Sequence, residues 1–488
     1  MTVQESPSVV KCLFDYLTSS TFTVMLSGLR PRKALAVELD VITFVDEGLG
    51  HSSHLVVLGD GSALAVDPRR IPELERAEAV RRGLRIEYTA DTHSHADFVS
   101  GSPELVARGA LFLAPAAGDI QVAHRGLAGG DRVEVGTLVL EAIGTPGHTP
   151  DHLAYLIETR SGTPLALFSG GSLMVDTVGR TDLLGPEQAE ALGRAQFHSL
   201  RDRIMTLPDD LVVYPTHGAG SFCSAPGAGD RVTTIGRERA HNPLLQINDE
   251  DAFVDALLAG FGSLPAFFRR LPEVNRRGPR LYGDVPELAR VDLDIFRAAL
   301  DSGAQLVDAR AFDRYAAGHI PGSLSIALRP VFETWLGWLL DPSRPVVFVL
   351  DDDQDRHELV RQCLTVGIER LRGELAGGIR TWQEAGFPVA TVDLITFDTV
   401  EGREMVDVRQ GDEFRAGHVP GAQNVELGAL VESDEIPTGR VALMCGHGER
   451  AMTGASLLER GAREELAVVE GGPDDWAATT GHSLATGP

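Results

Sequence analysis

From Val37 onward, apolar residues come in short runs punctuated by glycine. Residues 53–58, 63–67 and 86–90 read as strands, and 71–82 carries the spacing of a helix. Strands alternating with helices specify an α/β architecture. The stretch 242–283 is helical and then rich in proline and arginine, so it is expected to pack on the first domain before linking to the next. Further on, the buried run 441–444 predicts a strand. A glycine-containing loop follows it, then a helix over 451–460 stopped by Gly461.

The second half repeats itself. Val307-Asp308-Ala309-Arg310 matches Val406-Asp407-Val408-Arg409, and Gly318-His319-Ile320-Pro321-Gly322 matches Gly417-His418-Val419-Pro420-Gly421. Both pairs lie 99 residues apart, whereas Gly377-Gly378 and Trp382 lie 94 residues before Gly471-Gly472 and Trp476. The first copy therefore carries about five extra residues near 332–344, and the unit is a duplicated domain.

The chain has 488 residues, too many for one core. The expected division is a poorly ordered extension over 1–36, a first domain with its helical linker over 37–282, and two repeats over 283–392 and 393–488. Both lysines, Lys11 and Lys33, fall in the extension. A net charge of −26 argues against nucleic acid and anionic membrane as partners. Four cysteines without a CxxC pair suit a reducing, cytoplasmic compartment.

Cys445 opens the loop Cys445-Gly446-His447-Gly448-Glu449-Arg450. A cysteine between a strand and a helix N-terminus faces the amides of Gly446, His447, Gly448 and Glu449 and the positive end of the helix dipole. Both suit an attacking thiolate, and Arg450 adds charge for an anionic substrate. The CxxGxR spacing, the GHVPG segment and the Gly471-Gly472…Trp476 ending resemble rhodaneses, over the whole repeat unit. That resemblance implies a sulfurtransferase working through a Cys445 persulfide. At the same 94-residue offset the first copy has Asp351 and Arg356, so it is read as catalytically silent.

Thr92-His93-Ser94-His95-Ala96-Asp97-Phe98, Gly147-His148 and Thr216-His217 follow strand-like runs, as a metal site on an α/β scaffold requires. These segments resemble the metallo-β-lactamase superfamily, nearest to persulfide dioxygenases and hydroxyacylglutathione hydrolases. The resemblance implies an αββα sandwich followed by two rhodanese-like α/β domains. It also implies one metal ion, zinc or iron, on His93, His95 and His148, with Asp97 and His217 as weaker candidates. Phe98 stands where the family has histidine, and Gly171 where it has a bridging aspartate. An aspartate returned at 171 is expected to strengthen metal binding. The implied function is sulfane-sulfur metabolism, with the first domain acting on a low-molecular-weight persulfide. A metal-dependent thioester hydrolase and a non-enzymatic persulfide carrier or sensor remain open. The expected partners are small-molecule thiols and persulfides, and a homo-oligomer is left open.

Overall fold

The computed structural model describes residues 39–223, 230–430, 433, 436–463 and 465–487. The extension over 1–36, with Cys12, lies outside them. The chain divides into two compact units, the first running to Phe261 and taking in 267–284, the second comprising 262–266 and Val285 onward.

The first unit has two six-stranded sheets. In one, strands Val41–Asp46, His51–Val57, Ser62–Val66, Arg85–Ala90, Leu111–Pro115 and Arg125–Leu127 lie side by side in chain order. The other takes Arg132–Val135, Leu138–Gly144, Leu153–Thr159, Pro164–Gly170, Val212–Pro215 and Thr233–Thr234, again in chain order. Successive strand side chains face opposite ways. Val56, Leu64, Val66, Leu140, Tyr155 and Phe168 therefore meet in one core between the sheets. Leu55 and Ala63 turn outward, toward Ala79 of the helix Glu73–Arg81. Leu156, Leu167 and Val213 turn toward the helices Pro186–Asp202 and Glu250–Ala259. The result is an αββα sandwich.

Beyond the sandwich, the helix Leu271–Arg277 does more than link. Asn275 Nδ2 donates to the carbonyls of His95 and Phe98, both at 2.9 Å, and Asn275 Oδ1 accepts from Ser100 N at 2.9 Å. The predicted packing of this stretch on the first domain therefore clamps the histidine loop.

The second unit contains two five-stranded parallel sheets of one topology. The first orders its strands Arg290–Val291, Leu371–Leu375, Val346–Val349, Gln305–Asp308, Leu324–Ser325. The second runs Asp393–Ile395, Leu466–Val469, Val441–Met444, Glu404–Asp407, Gln423–Asn424. The repeated Asp-x-Arg motif is structural. Arg310 donates to Asp308 and to the Gly318 carbonyl, just as Arg409 donates to Asp407 and to the Gly417 carbonyl. Each buried pair closes its strand end onto the following turn. His319 and His418 sit in those turns, with Nδ1 donating to the carbonyls of Tyr315 and Phe414.

Strand register corrects the pairing of Cys445 with Asp351. Asp308 pairs with Val349 as Asp407 pairs with Met444, so Leu350 stands opposite Cys445. The first repeat has residues 350–355 between strand and helix, against 445–448 in the second. A constant sequence offset does not hold across loops of unequal length.

Candidate functional site

The strand Val441–Met444 is fully buried and runs parallel to both neighbours, delivering Cys445 to the carboxyl edge of the sheet. The helix Glu449–Arg460 starts four residues later. Gly448 has φ +103°, a conformation that glycine adopts freely, and its amide donates to Cys445 Sγ at 3.1 Å. The thiol itself is buried, at 1% exposure.

Arg450 does not face the thiol as a free cation. Its Nη1 and Nη2 donate to Glu413 Oε2 and Oε1 at 2.6 and 2.8 Å, a bidentate pair. Burial would lower the Glu413 carboxyl's affinity for charge, yet Arg450 holds its pKa below the usual carboxylate range. Arg450 therefore ties the Cys445 loop to the helix Gly411–Ala416.

In the first unit, three loops bring His93, His95, His148 and His217 together, every one at 0–1% exposure. In His93, His95 and His148 one ring nitrogen is already used, while both nitrogens of His217 lack a hydrogen bond. His148 Nδ1 donates to the Arg180 carbonyl at 2.8 Å, leaving Nε2 without a partner. His93 Nδ1 meets Thr92 Oγ1 at 2.9 Å while Thr92 Oγ1 donates to Asp67 Oδ2 at 2.8 Å, so the ring is the donor and Nε2 is again unpaired. His95 Nε2 donates to Asp67 Oδ1 at 3.0 Å, leaving Nδ1. One carboxylate thus orients two imidazoles, an arrangement that supports metal ligands. Asp67 has φ +48°, an uncommon conformation held by bonds from Thr92 and Thr216.

Burial pushes the His148 pKa down to about 3 and His93 well below its ordinary value. Both are neutral at neutral pH, with lone pairs ready for a cation. Among the described residues three groups have ligand atoms within 4.8 Å of one another: His93, His148, His217; His95, Asp97, His217; and Asp67, Asp91, His95. The sequence-derived set of His93, His95 and His148 is therefore divided. His217 joins the first two groups, and His95 sits with Asp97 in the second. Both Asp97 oxygens lack a hydrogen bond, and Oδ2 lies 3.3 Å from His217 Nδ1. Burial alone would raise the Asp97 carboxyl, but the facing His217 and His95 hold it well below its usual range. These buried, unpaired donors fit a metal ion.

Both departures from the expected ligands have been filled. Phe98 is fully buried, its ring 4.0 Å from that of His51 and 4.3 Å from that of His95. At Gly171 the His148 ring lies against the backbone. His152 is structural, since Nε2 accepts from Gly171 N at 3.0 Å and Nδ1 is 2.7 Å from Thr145 Oγ1. Asp176 and Asp182 turn away, to Arg237 and Arg180. Cys223 is buried beside His217, and burial pushes its thiol up. Asp67 escaped the sequence reading because it belongs to no histidine motif. The left-handed Asp67 follows a strand directly, and that position was the available signal.

A rhodanese-like domain model matches residues 292–385 and 396–479. Over 209 residues the chain is 29% identical to the mitochondrial persulfide dioxygenase ETHE1 of Homo sapiens, spanning 40% of this chain and 72% of that protein. It is 35% identical over 161 residues to a hydroxyacylglutathione hydrolase of Polaromonas sp., spanning 32% of this chain and 57% of the relative. A metallo-beta-lactamase structure from Staphylococcus aureus subsp. aureus COL superposes with a TM-score of 0.61 at 26% identity. It covers 70% of this chain and 99% of that one. Among the described residues no helix is long and apolar enough to cross a membrane.

Proposed function

For a chain that joins a metallo-β-lactamase fold to two rhodanese-like domains, we propose sulfane-sulfur metabolism centred on a Cys445 persulfide. The Cys445 thiolate attacks the outer sulfur of a donor. The bond from that sulfur to the rest of the donor breaks, and the leaving group takes the bonding pair. An acceptor thiolate then attacks the outer persulfide sulfur and returns the Cys445 thiolate. The observation that carries this reading is the Gly448 amide aimed at Cys445 Sγ, in a loop between a buried parallel strand and a helix. Incubation with thiosulfate and mass analysis of the Cys445 peptide tests it. One added sulfur, transferable to a thiol, is expected; no added sulfur with any donor overturns it.

The first domain is proposed to hold one metal ion and act on a low-molecular-weight persulfide. His93, His148 and His217 would hold the ion, or His95, Asp97 and His217. The ion supplies Lewis-acid polarisation of a bound substrate or water. Asp67 fixes the tautomers of His93 and His95, Phe98 packs its ring against His95, and Asn275 holds the loop that carries His95. Two histidines with one carboxylate suit iron and oxygenation. Three imidazoles suit zinc, which favours a thioester hydrolase as the second reading. Metal content together with oxygen uptake on a persulfide separates them: iron with uptake supports the first, and zinc without uptake the second.

A further inference from the structure

We propose that the Cys445 site has an anion-binding wall supplied by the first repeat, in which Arg329 seats the oxyanion end of a small anionic sulfur donor such as thiosulfate. The inference rests on the sulfurtransferase reading of Cys445. The extra residues of the first repeat form the helix Phe332–Leu339. Its Trp335 and Trp338 rings stack at 5.4 Å, and Trp338 lies so close to Gly428 of the second repeat that no side chain fits there. The repeats are further joined through the Cys445 helix, where Ser325 N donates to Ser456 Oγ at 3.0 Å and His319 Nε2 lies 2.8 Å from Glu459 Oε2.

A small cavity remains at the first turns of that helix. Arg329, Phe332 and Trp335 line it from the first repeat, and Glu449, Arg450 and Thr453 from the second. Arg450 is committed to Glu413. Arg329 is half-buried, and among the described residues its guanidinium has no carboxylate or carbonyl partner. Burial lowers its pKa, while the nearby charges of Glu449 and Cys445 act the other way. The cavity that Arg329 lines lies at the first turns of the helix that follows the Cys445 loop. An unpaired, partly desolvated guanidinium is costly unless an anion completes it. Repulsion from Glu449 in the same cavity turns the oxyanion toward Arg329. The thiolate then attacks the outer sulfur of thiosulfate, the S–S bond breaks, and sulfite leaves with the bonding pair.

The test uses the full chain carrying Arg329→Gln or Arg329→Lys. With thiosulfate as donor, Arg329→Gln should raise KM about tenfold with kcat within about twofold, and Arg329→Lys should recover part of the loss. A second readout does not depend on sulfur transfer: the rate of Cys445 alkylation by iodoacetate relative to uncharged iodoacetamide, read on the Cys445 peptide. That ratio should fall several-fold in Arg329→Gln. An unchanged KM with an unchanged ratio overturns the proposal, as does an equal loss with both alkylating reagents. A wild-type chain that takes no sulfur from any donor sinks the sulfurtransferase reading instead, and the alkylation ratio still judges Arg329.

Discussion

A Cβ built on Gly171 stands 2.3 Å from His148 Cδ2, so the imidazole fills the space that a side chain at 171 would need. The sequence-based expectation that an aspartate at 171 would strengthen metal binding is therefore reversed. Gly171→Asp should displace His148, lower metal content below wild type, and destabilise the first domain by about 1–3 kcal/mol. Elemental analysis and thermal unfolding check this. More metal per chain than in wild type would count against it.

Loss of a donor should separate the two chemistries, because they belong to different compact units. His148→Ala should lose the metal and leave Cys445 persulfide formation within about twofold of wild type. Cys445→Ser should do the reverse, and Cys363→Ala should leave transfer intact because Cys363 is a fully buried helix residue. Loss of sulfur transfer in His148→Ala would show that the sites act together.

The Arg450–Glu413 pair predicts a loop-ordering role rather than substrate binding. Arg450 and Glu413 are 18% and 37% exposed, so screening limits the pair to about 1–2 kcal/mol. Arg450→Ala and Glu413→Gln should slow sulfur transfer alike, and both alkylating reagents equally. A loss confined to anionic reagents in Arg450→Ala would return Arg450 to the substrate.

Stability of the first domain should fall with acid through His54. Its ring is buried, with Nδ1 3.0 Å from Thr43 Oγ1 and Nε2 3.2 Å from the Pro215 carbonyl, and burial lowers its pKa from 6.5 to about 4. Below pH 6.5 the unfolded chain takes up a proton that the folded ring refuses. The stabilisation is full above pH 6.5 and is lost as pH falls toward 4, by up to about 3 kcal/mol. Urea unfolding of wild type and His54→Gln across pH 4–7 measures it. Parallel pH profiles would remove His54 as the cause.

Much of this molecule is written locally. The strand 441–444 has the bounds expected from its apolar run, and the helix after it begins two residues earlier than expected. The repeat and the Cys445 loop need only short-range patterns, because period, turn residues and loop spacing are properties of neighbouring residues. Side-chain partners across the fold are different. Asp67 orients His95 from 28 residues away, Glu413 takes Arg450 from 37, and Arg329 of the first repeat lines a cavity with Arg450 and Thr453 of the second. Loops of different length put Leu350, not Asp351, opposite the thiol. Sequence alone determined which chemical groups the chain owns and the sheets and helices that carry them. Packing decided which lone pairs stay unpaired and which cation stays free, because burial removes water and leaves each polar group only the partners that the fold brings within reach.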